Sequence, residues 1–222
     1  MTVSDFIPLF IAPAIFLMLI LMALKVMDKS THKLFMGSYF MGLLAAIPMA
    51  LVLYIIHHYW LEHFSSIRRI LFFSFALVGF MAEFFKFIIL RYFVIPKDSV
   101  TKPFDGILFS VMISMGYATL ANVFFFFEWT YSDDLYVVLY TIPFANLLIG
   151  IILGFFIGMG KFRTNHIDSF TGLGVAVFFQ GFYNFCLISH DYLLLGMVAT
   201  GTLIISIMLA VKSLNTDLKS MI

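Results

Sequence analysis

Seven stretches of this chain, at roughly 6–26, 34–56, 70–92, 106–128, 135–160, 167–189 and 192–211, are apolar almost without interruption and about the length of a bilayer-crossing helix. Hydrocarbon offers backbone N–H and C=O groups no partner, so a spanning segment is either a helix or a strand of a closed barrel. Barrel strands alternate apolar and polar over about ten residues, and these runs do not alternate. The predicted fold is therefore all-α: a polytopic membrane protein, one domain over 1–222, with a bundle of about seven transmembrane helices. Composition agrees, since 63% of residues are hydrophobic and 11% charged, whereas soluble chains carry about 25% charged residues. A water-soluble globular enzyme is excluded. A net charge of +1 from 13 basic and 12 acidic residues gives no basic face for phosphates, which excludes nucleic acid as a partner. The single cysteine, Cys186, permits no internal disulfide. The first run lacks a basic leader and a small-residue cleavage pattern, so it is expected to be retained as a helix.

Basic residues set the expected orientation. Lys25, Lys29, Lys33, Arg91, Lys97, Lys102, Lys161, Arg163, Lys212 and Lys219 fall at one end of the spans, Arg68 and Arg69 at the other, and Lys86 within the third. Positive residues are retained on the cytoplasmic side, which predicts the N-terminus outside and the C-terminus inside. The 93–105 connection, with Pro96 and Pro103, is expected to be an ordered cytoplasmic loop. Phe124 to Phe127 is expected to face lipid, with Glu128 and Trp129 as an interfacial anchor. Gly150, Gly154 and Gly158 form a small-xxx-small ladder expected to pack against another helix.

Polar groups inside a span are expensive and ask for a partner or a task. Glu83 and Lys86 are three apart on one helical face; they form either a neutralising ion pair or, through Glu83, part of a proton-handling centre. Asn122, Asn146, Gln180 and Asn184 are amides, which glue helices or bind ligands but do not titrate. Asp105, in Pro-Phe-Asp-Gly, suits a helix N-terminal cap. His57, His58 and His63 gather near Trp60 as an interfacial belt or, less simply, a surface metal site. His32, His166 and His190 stand singly at span ends, with no function assigned.

These residues carry a resemblance. Met81-Ala82-Glu83-Phe84-Phe85-Lys86 resembles the Glu-Glu-x-x-Lys motif of the PrsW family of intramembrane proteases. Asp105-Gly106 followed by Gly116-Tyr117-Ala118-Thr119-Leu120-Ala121-Asn122 resembles its Asp-Gly and Gly-Phe-Ala-Thr-x-Glu-Asn segments. Pro143, Asn146 and the glycine ladder resemble its Pro- and His-containing helix, and Gln180-Gly181-Phe182-Tyr183-Asn184-Phe185 its His-Gly-x-x-Asp/Asn-Phe segment. The four motifs keep their order over about 80–185. The resemblance implies a bundle of seven or eight helices, similar to the type II CAAX proteases and a gamma-secretase subunit. It implies peptide hydrolysis in or beside the membrane by glutamates and histidines, a bacterial cytoplasmic (inner) membrane, and single-span substrates such as anti-sigma factors.

Against that pattern, Ala82 and Ala121 stand where the family has glutamates, and Asn146 and Gln180 where it has histidines. Glu83 is the retained candidate for catalysis; Lys86, Asp105, Asn122 and Asn184 are read as cavity or structural residues. A catalytic zinc wants about three ligands of His, Glu, Asp or Cys type, and an acid–base route wants two titratable groups. The expectation is a PrsW-like scaffold with impaired catalysis, a pseudoprotease, holding transmembrane partners through a polar intramembrane cavity. No metal is expected as the chain stands, and zinc or another divalent ion only if the family residues are restored. The expected partners are membrane lipids and single-span membrane proteins. The alternatives are an active PrsW-type protease and a small transporter or lipid-handling protein.

Overall fold

The computed structural model describes residues 3–23, 29–59, 66–128 and 135–220. Every regular element among them is helical. A 3₁₀ stretch, Val3–Phe10, leads into α1 (Ile11–Ala23); α2 is Lys29–Tyr59. The next span is composite: α3 (Ile67–Phe72), a π-helical stretch Phe73–Gly79, α4 (Phe80–Ile88) and a second π-helical stretch Ile89–Val94. Then follow α5 (Pro103–Glu128), α6 (Leu135–Phe162), α7 (His166–Ile188) and α8 (Tyr192–Ser220). Six of these spans are long and apolar enough to cross a membrane, and the apolar part of the first, Phe6–Met22, is shorter. The chain is thus an all-α polytopic membrane protein, and each sequence-derived span has its helix.

Local chemistry sets the helix ends. Pro103 opens α5, where its missing N–H is no loss. Asp105, two residues later, reaches back to accept from the backbone N–H of Thr101 (2.7 Å) and Lys102 (2.8 Å). Asp105 therefore does not cap from the N-cap position itself; it serves as the acidic partner of a capping box. The α6–α7 and α7–α8 turns share one design. Thr164 (φ 51°) and His190 (φ 55°) turn left-handed. The next residues, Asn165 and Asp191, donate N–H back to Gly160 O (3.1 Å) and Cys186 O (3.0 Å), closing Schellman motifs. Asn165 then accepts from Ile167 N (3.0 Å) and Asp191 from Leu194 N (2.9 Å), so each also caps the following helix.

At the centre stands α5, packed between α2 and α6. In a membrane, close backbone approach replaces the hydrophobic drive for helix association. A Cβ at Gly42 would fall 2.0 Å from Ile113 O, and one at Gly116 2.0 Å from Tyr39 O, so α2 and α5 touch backbone to backbone. The glycine ladder of α6 does pack, and against α5: a Cβ at Gly154 would sit 2.5 Å from Gly106 O, and one at Gly158 2.4 Å from Pro103 O. α8 is the least buried of the spans.

The 93–105 connection is ordered, with Ile95 and Val100 buried and Lys161 Nζ donating to Val100 O (2.8 Å) and Lys97 O (3.3 Å). The phenylalanine run corrects the expectation of lipid-facing bulk. Four consecutive helical residues sweep roughly 300°, so they cannot share a face. Phe127 is exposed, but Phe126 is buried against Leu135 and Leu139, its ring 5.2 Å from that of Phe6. Trp129, His63 and Trp60, and the side chains of Glu128, His57 and His58, lie outside the described residues.

Candidate functional site

α4 turns Ala82, Glu83, Lys86 and Phe87 into the bundle. Glu83 and Lys86 are both fully buried, with Lys86 Nζ 2.5 Å from Glu83 Oε1. The same ammonium donates to Asn146 Oδ1 on α6 (2.8 Å) and lies 4.7 Å from the centre of the Tyr117 ring on α5. Asn146 is oriented for this, because its Nδ2 donates to Ile142 O one turn earlier (2.9 Å), leaving its carbonyl oxygen for the lysine. One charge is therefore shared among a carboxylate, an amide carbonyl and an aromatic face on three helices. Glu83 Oε2 has no hydrogen-bond partner among the described residues.

Asn122 does something else. Pro143 has no N–H to give the carbonyl four residues back, that of Leu139. Asn122 Nδ2 donates to Leu139 O (3.0 Å) and to Pro8 O (3.2 Å), tying α5 to the proline-vacated carbonyl of α6 and to the N-terminal stretch. It is a helix staple rather than part of the Glu83 cluster. Asn184 is also self-contained, its Nδ2 donating to Gln180 O (2.7 Å) on the same helix. Gln180 is buried, and its Oε1 lacks a partner.

The two alanines lie in apolar surroundings. Ala82 is fully buried in a cluster with Ala45, Ala46, Val78 and Tyr117, and Ala121 packs against that cluster. Gln180 adjoins a close contact between α7 and the π stretch before α4, where a Cβ on Gly181 would meet Phe75 Cδ1 at 2.3 Å and one on Gly79 would meet Gly181 N at 3.0 Å. Of the candidate residues, then, the structure joins Glu83, Lys86 and Asn146 directly, while positions 82, 121 and 180 lie on α4, α5 and α7. Asp105 stands apart at the start of α5.

Three polar groups were missed in the sequence. Tyr117 shares the lysine. Thr141 and Tyr183 hydroxyls meet at 2.7 Å, joining α6 to α7. Each is a hydroxyl-bearing residue in mid-span, a signal weaker than an amide or charge but present. At the basic end of the bundle, Arg91 donates to Ser169 Oγ (2.9 Å) and contacts His166 Nδ1, so His166 is bonded rather than idle.

A profile described as PrsW family intramembrane metalloprotease matches residues 30–212. Among individual relatives, Protease PrsW of Shouchella clausii is 32% identical over 129 residues, covering 56% of this chain and 59% of that protein. Protease PrsW of Bacillus subtilis is 27% identical over 155 residues, 70% of this chain and 68% of its own. Protease PrsW of Oceanobacillus iheyensis is 26% identical over 185 residues, 80% of each. The chain thus spans less than two thirds of the first of these relatives. No solved structure matches it.

Proposed function

From the premise that this chain belongs to the PrsW family of intramembrane metalloproteases, we propose that it is a member with impaired hydrolysis that holds transmembrane segments instead of cutting them. The observation that carries this is the closed state of the one fully buried carboxylate among the described residues: Glu83 is paired with Lys86 at 2.5 Å, and the lysine is shared with Asn146 at 2.8 Å. The family description implies a metal, so the donors must be weighed. Zinc wants about three His, Glu, Asp or Cys ligands. Among the described residues no three such groups lie together. Asn146 has both ends of its amide engaged, and Ala82 and Ala121 offer no donor. The described residues around Glu83 do not fit a catalytic zinc.

Binding remains chemically available. Gln180 Oε1 and Glu83 Oε2 are buried acceptors without partners among the described residues. Such acceptors favour a transmembrane segment that brings hydroxyl or amide donors, including a single-span protein with a polar break in its helix.

A second reading, an active protease, is favoured by the extent of the family match, 30–212, and by the protease names of the relatives. In that case Glu83 must be freed from Lys86 to act as a base. A transporter draws no such support.

Elemental analysis of purified protein, together with incubation alongside a single-span substrate in vesicles, separates the two. Impaired hydrolysis predicts well below one zinc per chain and an intact substrate. Restoring Ala82→Glu, Ala121→Glu, Asn146→His and Gln180→His together should bring zinc toward one per chain. Full zinc in the unaltered protein, or cleavage abolished by Glu83→Gln, would establish the protease instead.

A further inference from the structure

The side-chain amide of Asn122 is only half used. Its Nδ2 has two hydrogens, and each has an acceptor: Leu139 O on α6 (3.0 Å) and Pro8 O in the N-terminal stretch (3.2 Å). Two carbonyls are met only by the NH₂ end, which fixes the orientation of the amide. Its Oδ1 is then left buried with no hydrogen-bond partner among the described residues. An unfilled buried acceptor costs free energy, and the residue opposite explains why it is unfilled. A side-chain amide pairs with a peptide unit at both ends, donating to the C=O and accepting from the N–H. Proline supplies the carbonyl and has no N–H to return.

The stretch that carries Pro8 is lightly held. Val3–Phe10 is an eight-residue 3₁₀ helix, a form with poor hydrogen-bond geometry whose runs seldom exceed about four residues. Phe6, Ile7 and Phe10 are exposed, whereas Pro8 is buried and Leu9 packs against Phe126, Leu135 and Leu139. Anchorage in the main core begins only with α1, at Ala12 and Phe16. The stretch therefore lies as a strap over the end of α5 and the start of α6, held there by the Asn122 hydrogen bond and the contacts of Phe6, Pro8 and Leu9.

We propose that Asn122 is a subsite for the peptide backbone of a held segment, and that the N-terminal strap is its displaceable occupant. The inference rests on the reading that this chain holds transmembrane segments. A regular helix has already paired its own N–H and C=O groups, so the ligand is a segment with an unwound turn. There a non-proline residue accepts from Nδ2 in place of Pro8 and donates to the empty Oδ1, one hydrogen bond more than the strap makes. The competing explanation is a strap that is a permanent part of the fold, with Asn122 serving only to stitch it and α6 to α5.

The experiment is fluorescence anisotropy of a labelled single-span peptide with a central Gly-Gly break, added to the full chain in nanodiscs, with an unbroken Leu-Ala peptide as control. Pro8→Ala gives the strap the missing N–H and should weaken binding of the broken peptide roughly fivefold, the scale of one hydrogen bond. Deletion of residues 2–9 should strengthen it by at least as much. A reversible version leaves the bundle untouched. With Phe6→Cys and Phe126→Cys, at side chains whose rings lie 5.2 Å apart, and Cys186→Ser, a bis-methanethiosulfonate reagent fastens the strap to α5 and reductant frees it. Binding of the broken peptide should vanish on cross-linking and return on reduction, while the unbroken peptide is indifferent to the strap. Binding of the broken peptide that ignores the strap in all three tests would overturn the inference and leave the holding function standing. No binding in any form, the strap-free protein included, would overturn both.

Discussion

Replacing Lys86 with methionine isolates the most consequential contact in the bundle. The side chain is fully buried, 2.5 Å from Glu83 Oε1 and 2.8 Å from Asn146 Oδ1. Lys86→Met leaves Glu83 with no partner on either oxygen and removes the donor from Asn146. Truncating one half of a buried pair is destabilising by about 3–5 kcal/mol, and for a chain of this size each kcal/mol moves the melting temperature by about 2–4 °C. The expected fall is therefore roughly 6–20 °C. Glu83→Met should fall toward the lower end of the same range, about 3 kcal/mol, because the ammonium keeps Asn146 and the Tyr117 face. In the double variant both charges give way to apolar side chains of similar length, a change that is often close to neutral, and only the Asn146 oxygen is left wanting. Its melting temperature should lie clearly above that of Lys86→Met. Heating detergent-solubilised protein and following the monodisperse fraction by size-exclusion chromatography reads all four states. A double variant that melts at or below Lys86→Met would show that the two residues do not stabilise each other.

Three further outcomes are expected. Cysteines placed at Ser66 and Ser99 should react with a membrane-impermeant thiol reagent from opposite sides, outside and cytoplasmic respectively; reaction of both from outside would refute the orientation drawn from the basic residues. Asn122→Leu should destabilise by about 1–3 kcal/mol through the unpaired Leu139 carbonyl, and by less in a Pro143→Ala background, where the missing N–H returns; equal losses in both backgrounds would remove the staple assignment. Gly154→Val should destabilise by at least about 1–3 kcal/mol through overpacking, since its Cβ would lie 2.5 Å from Gly106 O, whereas Gly174→Ala, with nothing within 4 Å, should be tolerated; similar melting curves would contradict the α5–α6 contact.

The spans were legible because each apolar run needs only length to declare itself, and the glycine ladder because its four-residue spacing survives in any helix. The pairing of Glu83 with Lys86 followed from their spacing alone. What escaped the sequence depended on facing partners. Nothing local to Asn122 tells that a proline on α6 has left Leu139 without a donor. Nothing local to Asn146 tells that a lysine sixty residues earlier reaches it. The π-helical stretches on either side of α4 were also hidden, because an i→i+5 turn is made from the same apolar residues as an ordinary one. A wheel drawn at 3.6 residues per turn through 67–94 therefore loses phase twice.

The backbone contacts around α5 bear on how such a chain can change over generations. At Gly42, Gly116, Gly154 and Gly158 any side chain would meet main-chain atoms at 2.0 to 2.5 Å. Replacement there forces α5 away from its neighbours, a constraint that is the same whether or not the chain hydrolyses anything. Position 82 lies among apolar side chains, whereas Asn146 is held by Lys86 across two helices, so the frame constrains the candidate positions unequally. Much of what makes the chain recognisable is thus inherited for mechanical reasons, and the ancestry it records is that of a shape.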